Sequence, residues 1–404
     1  MDLNTTTEGQ GDLPRYFAQV WNLATNARSG RLDVTLPDGR TFRHEGAEPG
    51  PVAEVVVHDM DLFARFVRDG DLGFTDSYMD GQWESPDLMA LYDWVNKEGD
   101  VLIQQMPGIG LVRAYEKLRF WLKRNTRGQA KKNIQAHYDL GNSFYSLWLD
   151  GTMTYSAAKY DDDPQRSLEA AQTAKYASIV DRMGVQPGDH VLEIGCGWGG
   201  FAEYAARERG LRVTGLTLSP EQLRFANDRM ERAGIADRVD LKLRDYRDER
   251  GSYDGIASIE MFEAVGQKYW PAYFETLRDR LKPGAKASLQ IITVPDRRWE
   301  VYNRSIDFIQ KYIFPGGFLP APFRLTEEIG RAGLEEGDSL SLAKDYSLTL
   351  RRWYETFNER WEEVAALGFD ERFKRMWDTY LLSCAGAFEY GNCDVVQLVV
   401  RKPA

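Results

Sequence analysis

The sequence predicts an α/β protein of two domains, on three observations. Strand-like segments alternate with helical patterns from about residue 133 to the end. A glycine-rich turn closes the first of those strands. A smaller, mixed α/β pattern occupies the first hundred or so residues. With 404 residues, 43% of them hydrophobic and 28% charged, each domain can bury its own core. No apolar run approaches the roughly 18 residues of a membrane span. The opening stretch to Arg15 lacks the basic and apolar regions of a signal peptide, and three cysteines make no disulfide framework, so a reducing cytoplasm is expected. None of the four histidines pairs with a cysteine or histidine at a metal-ligand spacing, so no metal is expected. A net charge of −11 disfavours nucleic acid as a partner, because phosphate contacts need a positive surface.

Taken in order, Leu32 to Phe42 reads as a hairpin, with alternating apolar residues on either side of an Asp38-Gly39 turn. Val55-Val56-Val57 is a third strand. From Asp61 to Asp69, helical spacing puts Leu62, Phe63, Phe66 and Val67 on one face. The composition then changes. Leu111 to Lys132 carries eight basic side chains against one acid, Glu116, with Leu111, Tyr115, Leu118, Trp121 and Leu122 at helical spacing. Two readings stand: a basic amphipathic helix lying on an anionic lipid surface, or a solvated linker helix packed by one face. The predicted division is residues 1–110, a basic helical linker over 111–132, and a catalytic domain over 133–404.

In that last stretch the strand candidates are His190–Ile194, Arg212–Leu218, Val239–Leu243, Gly255–Ile259, Ala285–Ile292 and Asp394–Val400. Helices between most of them predict a parallel-rich sheet covered on both faces, with Asp394–Val400 pairing antiparallel at or near an edge.

The strongest local signal is Val191 to Gly200, an apolar strand running into Gly195, Gly197, Gly199 and Gly200 with a helix behind. Glycines let the backbone approach a ligand closely, and the helix N-terminus favours negative charge. Gly195, Gly197 and Gly200 satisfy the dinucleotide fingerprint, a weak match alone. A dinucleotide site wants an acid at the second strand's tip. That tip reads Thr217-Leu218-Ser219-Pro220-Glu221-Gln222, with Ser219 placed as a helix cap over Gln222. Glu193, just before the first glycine, can instead accept from the amino group of a methionine moiety. The third strand ends at Asp245-Tyr246, where an adenine would lie. Together the strand ends fit S-adenosylmethionine (SAM).

Several ordered motifs carry a family resemblance over about residues 75–400. They are Ser77 to Trp83; Gln135 to Tyr145 with Met153-Thr154-Tyr155-Ser156; Leu192–Gly200; Gly215–Gln222; Asp245-Tyr246-Arg247; Met261 to Gly266; and Lys311 to Pro320. Together they resemble the cyclopropane fatty acid synthases (mycolic acid cyclopropane synthase-like), which are SAM-dependent methyltransferases. The resemblance implies a Rossmann-like class I methyltransferase fold with a mostly parallel seven-stranded sheet, and an N-terminal domain that engages lipid. It also implies homodimers working on the inner face of the cytoplasmic membrane. The reaction implied is methyl transfer to a double bond of a phospholipid acyl chain, forming a cyclopropane. Cofactor contacts would come from Tyr138, Tyr155, Ser156, Glu193, Gly195, Gly197, Thr217, Leu218, Gln222, Asp245 and Tyr246.

Attack of an alkene on a sulfonium methyl leaves a carbocation, which aromatic faces and a carboxylate stabilise. Candidates beside the acyl chain are Phe262, Tyr302, Tyr312 and Phe314. Ring closure then needs a base. The resemblance implies a bound bicarbonate in that role, held by a Cys, a Glu, a His, a strand backbone position and a Tyr. Glu263, the backbone of Ile292 and Tyr346 match. The Cys is Ala157 here and the His is Gln290, which can donate a hydrogen bond but carries no charge. Two donors are thus changed, and the alternative product is a methyl- or methylene-branched chain. Two other classes, a methyltransferase for a small soluble acceptor and a non-catalytic lipid-binding module, fit less well. The former needs neither the aromatic Trp299–Leu319 segment nor the basic stretch, and the latter needs neither Gln222 nor Glu263.

Overall fold

The computed structural model describes residues 3–104, 140–304 and 306–404. Tyr138 and the basic stretch 111–132 lie outside the described residues. The chain forms two compact units.

The first unit holds a five-stranded mixed sheet. Its strands are β1 (Leu3–Asn4), β2 (Ser29–Thr35), β3 (Thr41–Glu45), β4 (Glu48–Val57) and β5 (Trp83–Glu84), in the order β1-β3-β2-β4-β5. The expected hairpin is β2–β3, antiparallel, closed where Leu36 N donates to Arg40 O at 2.8 Å. Val55–Val57 ends β4, which pairs parallel with β2. Phe17, on the Phe17–Ala24 helix, meets Phe42 at 4.6 Å and Phe63 at 5.1 Å between ring centres, and these aromatics form the heart of the unit.

Two later segments, Asn303–Ile313 and Ala365–Asn392, belong to this first unit. This corrects the expected division, which gave everything after residue 133 to the catalytic domain. The physical reason is a helix, Glu371–Glu389, that packs on the Leu88–Gln104 helix: the buried Tyr92 hydroxyl donates to Thr379 Oγ1 at 3.0 Å, and Asn392 Nδ2 to Asn96 O at 2.7 Å. Contacts that close the unit come from far along the chain, which a linear reading of composition does not detect.

The second unit holds the seven-stranded sheet, in the order β11-β12-β10-β9-β6-β7-β8. The strands are β6 (His190–Ile194), β7 (Arg212–Thr217), β8 (Val239–Leu243), β9 (Tyr253–Ile259), β10 (Leu281–Thr293), β11 (Glu335–Ser341) and β12 (Asp394–Arg401). β6 to β10 are parallel to one another, and β12 runs antiparallel between β10 and β11. All six expected strands are present. β12 lies one place in from the edge, and the edge strand β11 was not anticipated.

Side chains alternate across the sheet. Leu192 and Ile194 join one apolar cluster with Trp270, Tyr273, Phe274 and Leu289; Val191 joins another with Ile179, Phe201 and Met230. Both faces are therefore covered, as near-continuous apolar strands require. From β6 the chain winds outward through β7 and β8, then returns to β9 on the other side. The carboxyl ends of β6, β7, β9 and β10 thus surround a topological switch point, where open α/β sheets bind ligands.

Candidate active site

At the end of β6 the backbone turns sharply. Gly195 N and Cys196 N both donate to Leu216 O, at 3.0 and 2.8 Å, tying the turn to β7. Gly195 (φ +88°) and Gly197 (φ +51°) take left-handed conformations that glycine adopts without strain. A Cβ on Gly195 would stand 2.9 Å from the Met261 side chain, whereas a Cβ on Gly197 would meet nothing within 4 Å. One side of the turn is packed and the other is open to a ligand.

Glu193 is buried on β6, and its Oε2 has no hydrogen-bond partner. An orphaned buried carboxylate oxygen costs free energy unless something meets it. Burial pushes the Glu193 carboxyl up to about 8, against the pull of the Lys175 ammonium. The amino group of SAM fits that oxygen, and the open glycine turn beside it fits the rest of the methionine portion. On β7, Thr217 Oγ1 donates to Gln222 Oε1 at 3.0 Å and accepts from Ser219 N at 3.1 Å, while Ser219 caps the next helix as expected. Leu218, between them, is half-buried. Beyond β8, Asp245 is committed to Arg247, accepting from its Nε at 2.8 Å, and Tyr246 packs edge-on to Tyr273.

Tyr155 stands among Tyr145, Trp148 and Trp353, each 5.4–5.5 Å away between ring centres, with Phe314 at 6.3 Å. Ser156 Oγ accepts from Lys175 Nζ at 2.7 Å. Lys175 is wholly buried, and burial pushes it down to about 7 against the nearby Glu260, Asp150 and Glu193 charges.

Two half-buried carboxylates meet where β9 and β10 end. Glu263 Oε1 accepts from Ile292 N at 2.6 Å, and its Oε2 is buried without a partner. Burial, then the neighbouring Glu260 charge, pushes Glu263 up to about 8. Glu260 Oε1 accepts from Ala157 N and from Gln290 Nε2, both at 2.7 Å, and Tyr346 adds a hydrogen bond. Burial raises Glu260 too, with these donors and Lys175 opposing it. Gln290 also donates to Ala157 O at 3.2 Å and accepts from Gln397 Nε2 at 3.1 Å.

Of the aromatic candidates, Phe262 lies in the core against Trp270, Tyr273 and Phe274, with no exposure. The Tyr302 hydroxyl accepts from Leu319 N at 3.0 Å and its ring faces Phe318. Tyr312 belongs to the first unit, where its hydroxyl donates to Asp76 Oδ1 at 2.7 Å.

The family model for mycolic acid cyclopropane synthetase matches residues 125–398, about two thirds of the chain and nearly all of the seven-stranded unit. The chain belongs to that family. Tuberculostearic acid methyltransferase UfaA1 of Mycobacterium tuberculosis is 40% identical over 87% of this chain and 84% of its own length. The cyclopropane-fatty-acyl-phospholipid synthase of Escherichia coli is 36% identical over 92% and 96%. The solved mycolic acid cyclopropane synthase CmaA1 with S-adenosylhomocysteine and CTAB superposes with a TM-score of 0.63 at 31% identity, covering 67% of this chain and 98% of that one. This member of the cyclopropane synthetase family is a SAM-dependent methyltransferase of the Rossmann-like class I fold.

Two of its charged residues escaped the sequence reading. Lys175 stands with Ala171 and Ile179 at helical i, i+4 spacing in a fully buried stripe, so a lysine interrupting that stripe was the available signal. Glu260 directly follows the Tyr253–Ile259 strand, immediately before Met261-Phe262-Glu263, and was overshadowed by that motif.

Proposed function

We propose that this methyltransferase alkylates a carbon–carbon double bond in the acyl chain of a membrane phospholipid and releases a methylene-branched chain. Bound SAM supplies an electrophilic methyl group, and its transfer to an alkene leaves a carbocation on the chain. Glu193, the Gly195–Gly197 turn, Thr217 and Gln222 hold the donor; Tyr155, Ser156, Leu218, Asp245, Tyr246 and, outside the described residues, Tyr138 are proposed to complete its pocket. The Glu260 and Glu263 carboxylates stabilise the cation and take up a proton, and the aromatic group around Tyr155 keeps water away. Tyr302 and Phe314 are proposed along the acyl path.

One observation carries the choice of product. Ala157 N, Gln290 and Tyr346, which stand where the resemblance implied ligands of a bicarbonate base, hold the side chain of Glu260 instead. A carboxylate held in place by three donors is slower to reach a proton on the new methyl. Slow deprotonation gives a hydride time to move from the methylated carbon to its cationic neighbour. The resulting tertiary cation then loses a proton from the new methyl, leaving C=CH2. That sequence needs no reductant. Support also comes from the 40% identity to a tuberculostearic acid methyltransferase. A cyclopropane is the second reading, favoured by the match to the Escherichia coli synthase along 92% of the chain. Both readings place the enzyme peripherally on the inner face of the cytoplasmic membrane, as a homodimer.

Expression in a host without its own cyclopropane synthase tests the product. Mild hydrogenation of the extracted fatty acids should convert the new species to a methyl-branched chain with uptake of one hydrogen molecule. A species that resists hydrogenation is a ring and favours the second reading.

A further inference from the structure

We propose that Glu260 is the built-in anion of this active site and its proton acceptor, so that turnover requires no dissolved bicarbonate. The inference rests on the reaction given under Proposed function and adds the identity of the base. Its carboxylate gathers donors from three parts of the second unit: Ala157 N, Gln290 Nε2 and Tyr346. Those are the groups a small planar anion would need. Gln290 cannot turn its amide away. Gln397 Nε2 donates to Gln290 Oε1, and Gln397 Oε1 in turn accepts from Ser178 Oγ at 2.5 Å, so the Gln290 Nε2 end must face Glu260.

The backbone supplies an independent observation. Glu260 has φ +47°, the left-handed region, with its own N–H donating to Gln290 O at 2.8 Å. Only six described residues other than glycine have positive φ, and Glu260 is the one at the carboxyl end of a sheet strand. Non-glycine residues held there concentrate at functional sites, because the strain persists only where the side chain has a use. Glu263 lies beside it, raised partly by the Glu260 charge, and the Lys175 ammonium favours the ionised form of Glu260. In the proposed step a C–H bond of the transferred methyl breaks. Its electron pair closes the new C=C bond, and the proton passes to a Glu260 oxygen and from there to water. No oxidant or reductant is required.

The backbone also suggests the experiment. Glu260→Gly relieves the strained φ and frees the donor set, so the variant should fold and present an empty anion pocket. Wild-type turnover should be the same in buffer stripped of carbon dioxide as in buffer with added bicarbonate. Glu260→Gly should lose about a hundredfold in turnover, with SAM affinity within about twofold, and added bicarbonate or formate should restore part of the loss. Independently of activity, bicarbonate should raise the melting temperature of Glu260→Gly and leave wild type unchanged. A wild-type enzyme that stalls without bicarbonate overturns the proposal, as does a Glu260→Gly variant that is fully active in stripped buffer or shows no anion-dependent shift in melting. If wild type instead fails to alkylate unsaturated lipid at all, the proposed reaction is wrong, while the melting comparison still decides whether Glu260 fills an anion pocket.

Discussion

Glu263 keeps one carboxylate oxygen on the Ile292 amide and leaves the other buried without a partner, beside the like charge of Glu260. A group so placed resists ionisation until a cation arrives, which is the behaviour expected of a side chain that meets a carbocation. Glu263→Gln should therefore lower turnover by about a hundredfold or more while SAM affinity stays within about twofold. Full turnover in that variant would remove Glu263 from the chemistry. Glu193 makes a separate prediction. Burial holds its carboxyl near 8, and the ammonium of SAM needs it ionised. SAM affinity should rise as pH increases toward 8, and Glu193→Gln should bind weakly with that rise abolished; titration calorimetry across the range checks it.

At the level of elements, the turn after β6 depends on two glycines for different reasons. Gly195→Ala forces a left-handed φ on a residue with a Cβ and drives that Cβ into Met261. It should cost about 1 kcal/mol or more of stability and abolish SAM binding, measured by denaturant unfolding and by titration. Much of this was legible beforehand. The β6 to β10 strands and the Ser219 cap follow from apolar runs and turn chemistry, which are local properties. β11 was not legible, because Glu335–Ser341 is nearly all polar and exposed and pairs only along one edge. The replacement of two anion ligands by Ala157 and Gln290 was visible as a departure from the family pattern. Its resolution was not, because Glu260 matters only once folding brings the ends of β9 and β10 against Ala157.

Over the whole molecule, buried ionisable groups tie stability to pH. Glu193 and Glu263 keep their protons in the folded state up to about 8, whereas an ordinary glutamate loses its proton near 4.5. Between those values the folded state binds more protons, so their contribution is full below 4.5 and is lost as pH rises. Lys175, pushed down to about 7, runs the other way above that pH. Hence the melting temperature of ligand-free Glu193→Gln relative to wild type should climb from pH 4.5 to 7. A flat difference would mean Glu193 is solvated. Among the described residues no helix is long and apolar enough to cross a membrane; a peripheral enzyme of the kind proposed meets lipid from the surface. If the basic stretch 111–132 does this, replacing Arg119, Lys123, Arg124 and Arg127 with Gln should weaken binding to anionic vesicles by about 1 kcal/mol per charge, and wild-type binding should fall with salt. Unchanged vesicle binding would assign lipid contact elsewhere.

The most direct test of the whole account uses purified enzyme, an unsaturated phospholipid and SAM carrying a trideuterated methyl group. Mass spectrometry of the released fatty acids should show an added carbon that keeps two deuteriums, the third having left as the proton taken up by the carboxylate pair. A product that keeps all three would contradict removal of a proton from the transferred methyl, and a lipid that gains no label would contradict the claim that this site alkylates an olefin.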